Sequence, residues 1–210
     1  MKLKIIIADD HAVVRKGLKQ ILAEQMVHAQ VSEVASAEEV LQAVRSEKFD
    51  LIISDISMQG RSGIELVKQL QIDKPEIPVL ILSIHPEKQY ALRALKAGAA
   101  GYLNKGSASE ELAKAIKQIV QGKKYISPLL AEILADNVSG TTSVTSHEIL
   151  SDREFEVLKL VAKGKGPSEI ADYLSISVST VSTYRSRVLE KMKLQNNADL
   201  TRYAMLHHLI

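Results

Sequence analysis

The stretch IIIADDH, positions 5–11, decides how the first half of the chain folds. Ile5, Ile6 and Ile7 run together without polar alternation, which is how a strand reads when both its faces are covered, as in a parallel sheet. Asp9 and Asp10 follow immediately, where the chain has to leave the sheet. Negative charge crowded at a strand end needs a compensating partner, because neighbouring carboxylates repel one another.

The same rhythm recurs onward from this strand. Short aliphatic runs at 3–8, 30–35, 50–54, 78–83 and 100–103 alternate with helix-like segments. Val14, Leu18 and Leu22 give the first helix an apolar stripe, and Leu112, Ile116 and Val120 do the same for the fifth. Alternating strands and helices predict an α/β doubly wound sheet of five parallel strands. In such sheets a ligand site lies at the carboxyl ends of the strands, which is where Asp9 and Asp10 fall.

After Gly122 the rhythm breaks. Residues 127–138 read as one more helix, SGTTSVTS (139–146) as a small, polar linker, and 152–163, 168–174, 178–192 and 197–208 as four helices. The expected organisation is one α/β domain at 1–124, a linker with a possible helix at 125–147, and a small all-α domain at 148–210. A length of 210 residues suits two modest domains, and the absence of cysteine removes disulfides and thiolate metal sites. The lack of cysteine fits a reducing compartment, so the chain is expected to be cytoplasmic, and no apolar run approaches the ~20 residues of a membrane helix, so it is not expected to engage a membrane. Formal charge is +2, so any nucleic-acid surface has to be local, and the lack of tryptophan disfavours base stacking.

The third strand ends LIISD, which brings Asp55 to the sheet edge that carries Asp9 and Asp10. Three carboxylates with oxygen donors only suit a hard cation such as Mg²⁺. Ser83 ends the fourth strand, and Lys105 follows the fifth and supplies positive charge. Taken singly, these are a helix cap, a turn hydroxyl and a solvated lysine. In combination, the acidic pair, the later aspartate, the hydroxyl and the lysine at successive strand ends resemble the receiver domain of bacterial two-component response regulators over about 1–121.

That resemblance implies a flavodoxin-like fold and a set of roles. Asp55 accepts a phosphoryl group from a sensor histidine kinase. Asp9, Asp10, Asp55 and the backbone carbonyl of Ser57 hold Mg²⁺. Lys105 pairs with the phosphoryl group, and Ser83 with Tyr102 forms the switch. Such a protein is a phosphoacceptor that assists its own phosphotransfer and dephosphorylation and is otherwise no enzyme. Gln59 stands where relatives carry proline, and Ile84 is bulkier than the residue common after the switch serine.

Residues 150–200 resemble the LuxR-type helix-turn-helix domain, and the whole chain resembles the NarL/FixJ group of response regulators. SEIADYL, SIS and VSTVSTYRSRVLEKM read as helix, tight turn and longer recognition helix. Val181, Val188 and Met192 form its inner stripe, which leaves Ser179, Ser182, Thr183, Ser186 and Arg187 outward, with Arg185 at the edge and Lys191 near the end. These seven outer and edge residues are the expected DNA contacts. Ser168 and Ser182 stand where relatives carry lysine. The implied partners are promoter half-sites, a histidine kinase and a second copy of the chain on activation. A phosphatase of the haloacid dehalogenase type is disfavoured because SDIS lacks that family's second acid. A helical module that binds protein instead of DNA is the other alternative.

Overall fold

A computed structural model of the chain describes residues 2–139 and 147–210, so the expected linker at 139–146 lies, apart from Ser139, outside the described residues. The chain divides into two compact units, Met1–Val138 and Ser139–Ile210.

In the first unit the aliphatic runs form β1 (Leu3–Ala8), β2 (Ala29–Val34), β3 (Leu51–Asp55), β4 (Val79–Ser83) and β5 (Gly101–Asn104). They pair in parallel in the order β2-β1-β3-β4-β5. β3 and β4 are buried along their whole length, whereas β2 is a half-exposed edge. The intervening helices are α1 (Ala12–Gln25), α2 (Ala37–Ser46), α3 (Gly63–Asp73), α4 (Glu87–Ala97) and α5 (Ala108–Val120). β1 has β2 on one side and β3 on the other, so the order reverses there and a crevice opens at the strands' carboxyl ends.

Leu18, Leu22, Leu112 and Ile116 lie in the core with Ile5, Ile7, Ile53 and Leu80. Val120 does not complete the α5 stripe: it is 42% exposed, and Ile119 takes the buried place. From Leu112, seven residues come close to two full turns, whereas eight overshoot by almost a quarter turn. Beyond α5 the chain stays on the sheet. Tyr125 bridges in parallel to Gly101, donates its N–H to the Ala100 carbonyl at 2.8 Å, and is buried in the same core. The helix expected at 127–138 is α6 (Pro128–Ser139), and the Ser127 hydroxyl accepts the Leu130 N–H at 3.0 Å as its cap.

The second unit holds α7 (Asp152–Ala162), α8 (Pro167–Leu174), α9 (Val178–Met192) and α10 (Asn197–Leu206). A capping box between Ser151 and Glu154 starts α7, and Pro167 occupies the first position of α8, where its missing N–H costs nothing. Ser175 adopts a left-handed conformation (φ 54°) to end α8, and Ser177 caps α9 by accepting the N–H of Thr180, three residues later. Phe155, Leu158, Ile170, Leu174, Val181, Val188 and Leu200 are buried as its core. No helix among the described residues is long and apolar enough to cross a membrane.

Candidate functional site

Sheet register builds the first site. Ala8 pairs with Ser54, so Asp9 and Asp55 stand side by side one residue further on. Asp55 pairs with Leu82 and Ser83 with Asn104, which brings Ser83 and Lys105 to the same edge. Asp9 is 1% exposed and Asp55 5%, whereas Asp10 is exposed at the rim. The Lys105 ammonium sits between the two buried acids, with Nζ 2.6 Å from Asp9 Oδ2 and 3.1 Å from Asp55 Oδ2. The Ile56 N–H donates to Asp55 Oδ1 at 2.8 Å, and Arg15 Nη1 donates to the Asp9 carbonyl at 2.6 Å.

The loop after β3 folds back closely on Asp55. A Cβ at Gly63 would lie 2.2 Å from the Asp55 carbonyl oxygen, so no larger residue fits without moving the loop. Burial pushes the Asp55 carboxyl up to about 6, with Lys105 opposing and the Asp9 charge adding to the rise. Lys105 is lowered by burial, but its contacts with Asp9 and Asp55 outweigh this and hold it above the ordinary lysine value. The pocket therefore contains more negative charge than one lysine neutralises.

Asp9, Asp10, His11 and Asp55 each offer a ligand atom, all within 4.8 Å of one another. Carboxylate oxygens at that spacing fit a hard cation, and the pocket is compatible with Mg²⁺. His11 was not among the expected residues. Its Nδ1 lies 2.6 Å from Asp10 Oδ1 and 3.3 Å from Asp9 Oδ1, and its only signal in the sequence is adjacency to the acidic pair.

The expected switch residues meet at one loop. Ser83 and Tyr102 are fully buried. The Ser83 hydroxyl accepts the His85 N–H at 3.0 Å, and the Tyr102 hydroxyl donates to the His85 carbonyl at 2.9 Å. Burial holds the Tyr102 phenol far above its ordinary value, against a hydrogen bond with Ser83. Half-buried Ser57 has its Oγ 3.3 Å from His85 Nε2, and the His85 ring stacks on Tyr90 at 5.0 Å. His85 thus joins Ser57, Ser83 and Tyr102, and nothing in its sequence position announced this.

On α9, Ser179, Ser182, Thr183, Ser186 and Arg187 are all exposed, opposite buried Val181, Val188 and Met192. Ser182 and Thr183 donate their hydroxyls to the Val178 and Ser179 carbonyls at 3.1 and 3.0 Å, which leaves their oxygens as acceptors. Ser179 Oγ lies 2.8 Å from Ser177 Oγ in the cap of the helix. The other two expected contacts are held inside the unit. Arg185 Nε donates to Asn197 Oδ1 at 2.6 Å, and Lys191 Nζ to Glu154 Oε2 at 2.7 Å. Glu154 is 3% exposed, and its carboxyl lies below the ordinary value, because Lys191 and the Ser151 N–H outweigh the effect of burial. Lys159 is also buried, which pushes its ammonium down to about 8, with Lys163 adding repulsion.

Residues 5–117 match the response regulator receiver domain family, and residues 148–204 match the luxR family of bacterial regulatory proteins. The chain is a response regulator. It belongs to the NarL/FixJ group, in which a receiver precedes a LuxR-type helix-turn-helix domain, and these two-component proteins control transcription. It is 37% identical over 216 residues to the oxygen regulatory protein NreC of Staphylococcus epidermidis, covering 99% of each chain. To the response regulator GacA of Pseudomonas aeruginosa it is 32% identical over 209 residues, covering 99% of this chain and 98% of that one. Among solved structures it resembles RcsB of Salmonella enterica serovar Typhimurium bound to the rprA promoter in the presence of the phosphomimetic BeF3⁻. The TM-score there is 0.69 at 25% identity, over 97% of this chain and 98% of that one. This response regulator is accordingly a transcription factor and not a conventional enzyme.

Proposed function

We propose that Asp55 of this response regulator accepts a phosphoryl group from a sensor histidine kinase, and that the modification controls DNA binding. The observation that carries the reading is the Lys105 ammonium held between Asp9 and Asp55 in a buried acidic pocket. In the transfer an Asp55 carboxylate oxygen bonds to phosphorus while the phosphorus–nitrogen bond to the kinase histidine breaks. Phosphoryl transfer asks a protein mainly for positioning and charge neutralisation. Mg²⁺ at Asp9, Asp10, Asp55 and the Ser57 backbone carbonyl would neutralise charge on the transferring oxygens. Lys105 supplies the protein's own share of that neutralisation. Ser83 can then donate its hydroxyl to the acyl phosphate, with Tyr102 beneath it completing the switch. Water attacking the same phosphorus ends the signal, so the receiver assists its own phosphorylation and dephosphorylation.

Residues 1–124 form the receiver in this reading, 125–147 the connection, and 148–210 the DNA-binding domain. Ser179, Ser182, Thr183, Ser186 and Arg187 face the major groove, where hydroxyls read base edges and arginine reaches guanine or phosphate. Arg185 joins them through its terminal nitrogens, with Nε on Asn197 orienting the guanidinium. Lys191 joins them only by exchanging Glu154 for a phosphate. One short recognition helix reads few bases, so the protein acts on paired promoter half-sites as a homodimer. RcsB, its structural relative, is known as dimers bound to DNA, which supports this. The site of action is the cytoplasm.

Incubation with acetyl phosphate and Mg²⁺, followed by intact-mass measurement, should add one phosphoryl group to the wild type and none to Asp55→Asn. Equal modification of both proteins refutes the assignment. An electrophoretic shift on promoter DNA, strengthened by acetyl phosphate, separates a DNA regulator from a protein-binding adaptor.

A further inference from the structure

The loop that carries Ser83 and His85 ends in a contact that the switch itself does not need. Pro86 is the N-cap of α4 and Glu87 its first residue. The Glu87 carboxylate accepts a hydrogen bond from the Ser127 hydroxyl. That hydroxyl in turn accepts the Leu130 N–H at 3.0 Å and so caps α6, the helix that precedes the DNA-binding domain in the chain. The first turn of α6 contains no acidic residue of its own. Glu87 therefore provides, from another helix, the negative charge that a helix N-terminus favours.

Ser127 cannot follow Glu87 if α4 moves. Two residues earlier, Tyr125 is tied to β5 by its N–H on the Ala100 carbonyl and by the bridge to Gly101, where an added Cβ would lie 2.9 Å from Tyr125 Cβ. Leu130, on the other side, is fully buried. The Tyr125 hydroxyl donates to the Glu111 carboxylate, a second tie that holds the chain just before Ser127 to the receiver.

We propose that the Glu87–Ser127 hydrogen bond couples the phosphoryl state of Asp55 to the first turn of α6. The proposal rests on the reading of Asp55 as the phosphoacceptor. In the resting receiver the His85 N–H is on Ser83 Oγ, and Glu87 supports the α6 cap. When Ser83 is drawn to the phosphorylated aspartate, His85, Pro86 and the start of α4 are carried with it. The anchored Ser127 then loses its partner, and the start of α6 loosens.

Hydrogen exchange on the full chain tests this, with and without beryllofluoride and Mg²⁺. In the wild type, beryllofluoride should speed exchange at residues 130–136 by roughly fivefold, the effect of losing one helix cap. Ser127→Ala and Glu87→Ala should exchange fast there from the outset and gain little more on beryllofluoride, and Glu87→Gln, which keeps an acceptor, should fall between. If residues 83–90 respond to beryllofluoride and 130–136 do not, the coupling is wrong. It is equally wrong if Glu87→Ala responds as the wild type does. If residues 83–90 do not respond and Asp55 takes up no phosphoryl group, the phosphoacceptor reading has failed and the coupling falls with it.

Discussion

The Asp55 pocket and the outward face of α9 are the two candidate sites of the chain, and their energetics are opposite. In the pocket, two buried carboxylates and one lysine leave net negative charge out of water before any ligand arrives, and Asp55 is driven up to about 6. On α9 the outward hydroxyls lie in solvent and bond to their own helix, and Lys191 of the same helix pairs with the buried Glu154 carboxylate. The first site holds unfavourable charge that a bound cation would relieve. The second can be changed with little effect on folding.

The sharpest way to break this contrast is to remove the pocket's cation. Lys105→Met leaves Asp9 and Asp55 facing each other, and urea unfolding at pH 8 should show a loss of roughly 3 kcal/mol in the receiver. The loss should shrink at pH 5, where the carboxylates take up protons. No change at pH 8 would mean that the pocket is open enough to water for its charges not to matter.

Asp55→Asn acts in the opposite direction. The native protein holds the Asp55 proton more tightly than the unfolded chain does, so this group's stability is complete below the ordinary 3.8 and is lost as pH rises through about 6. The metal-free variant should gain roughly 1–3 kcal/mol at pH 8 and nothing at pH 3.5, read by denaturant titration. Mg²⁺ should stabilise the wild type and leave the variant much less affected.

In the second unit, Lys191→Ala strands the Glu154 carboxylate. Because Lys191 is 41% exposed, solvent screens the pair, and the expected cost is about 1–2 kcal/mol at pH 7. The Glu154 carboxyl is depressed in the native state, so its contribution is present above the ordinary 4.5 and disappears as pH falls below that value. A variant as stable as the wild type would free Lys191 for a role on DNA alone.

Ser182→Lys should have the smallest effect on folding, within about 0.5 kcal/mol, since the site is exposed. It should steepen the slope of log K against log salt by roughly 0.9 with little gain in discrimination, because phosphate contacts position a protein and do not specify sequence. Anisotropy titration giving an unchanged slope would mean that residue 182 does not face the DNA backbone.

The strand ends were legible because aliphatic runs mark central strands and leave the next polar residue at the sheet edge, as for Asp9, Asp55 and Ser83. Lys105 was legible for the same reason. What stayed hidden depends on where loops fold back. His85 becomes a hub only because the loop after β4 closes over Ser57 and Tyr102, and 37 positions separate Lys191 from Glu154. Tyr125 read as linker, since nothing local shows a lone residue bridging to the edge of β5. The α5 stripe was misjudged at Val120 because a four-residue repeat drifts off the 3.6-residue turn.

The most direct measurement is the titration of the Asp55 carboxyl carbon by NMR in the metal-free protein. A midpoint near 6 that moves down on addition of Mg²⁺ is expected of a buried acid whose charge a cation relieves. A midpoint at or below the ordinary 3.8 without Mg²⁺ would contradict the claim that the pocket stores unfavourable charge.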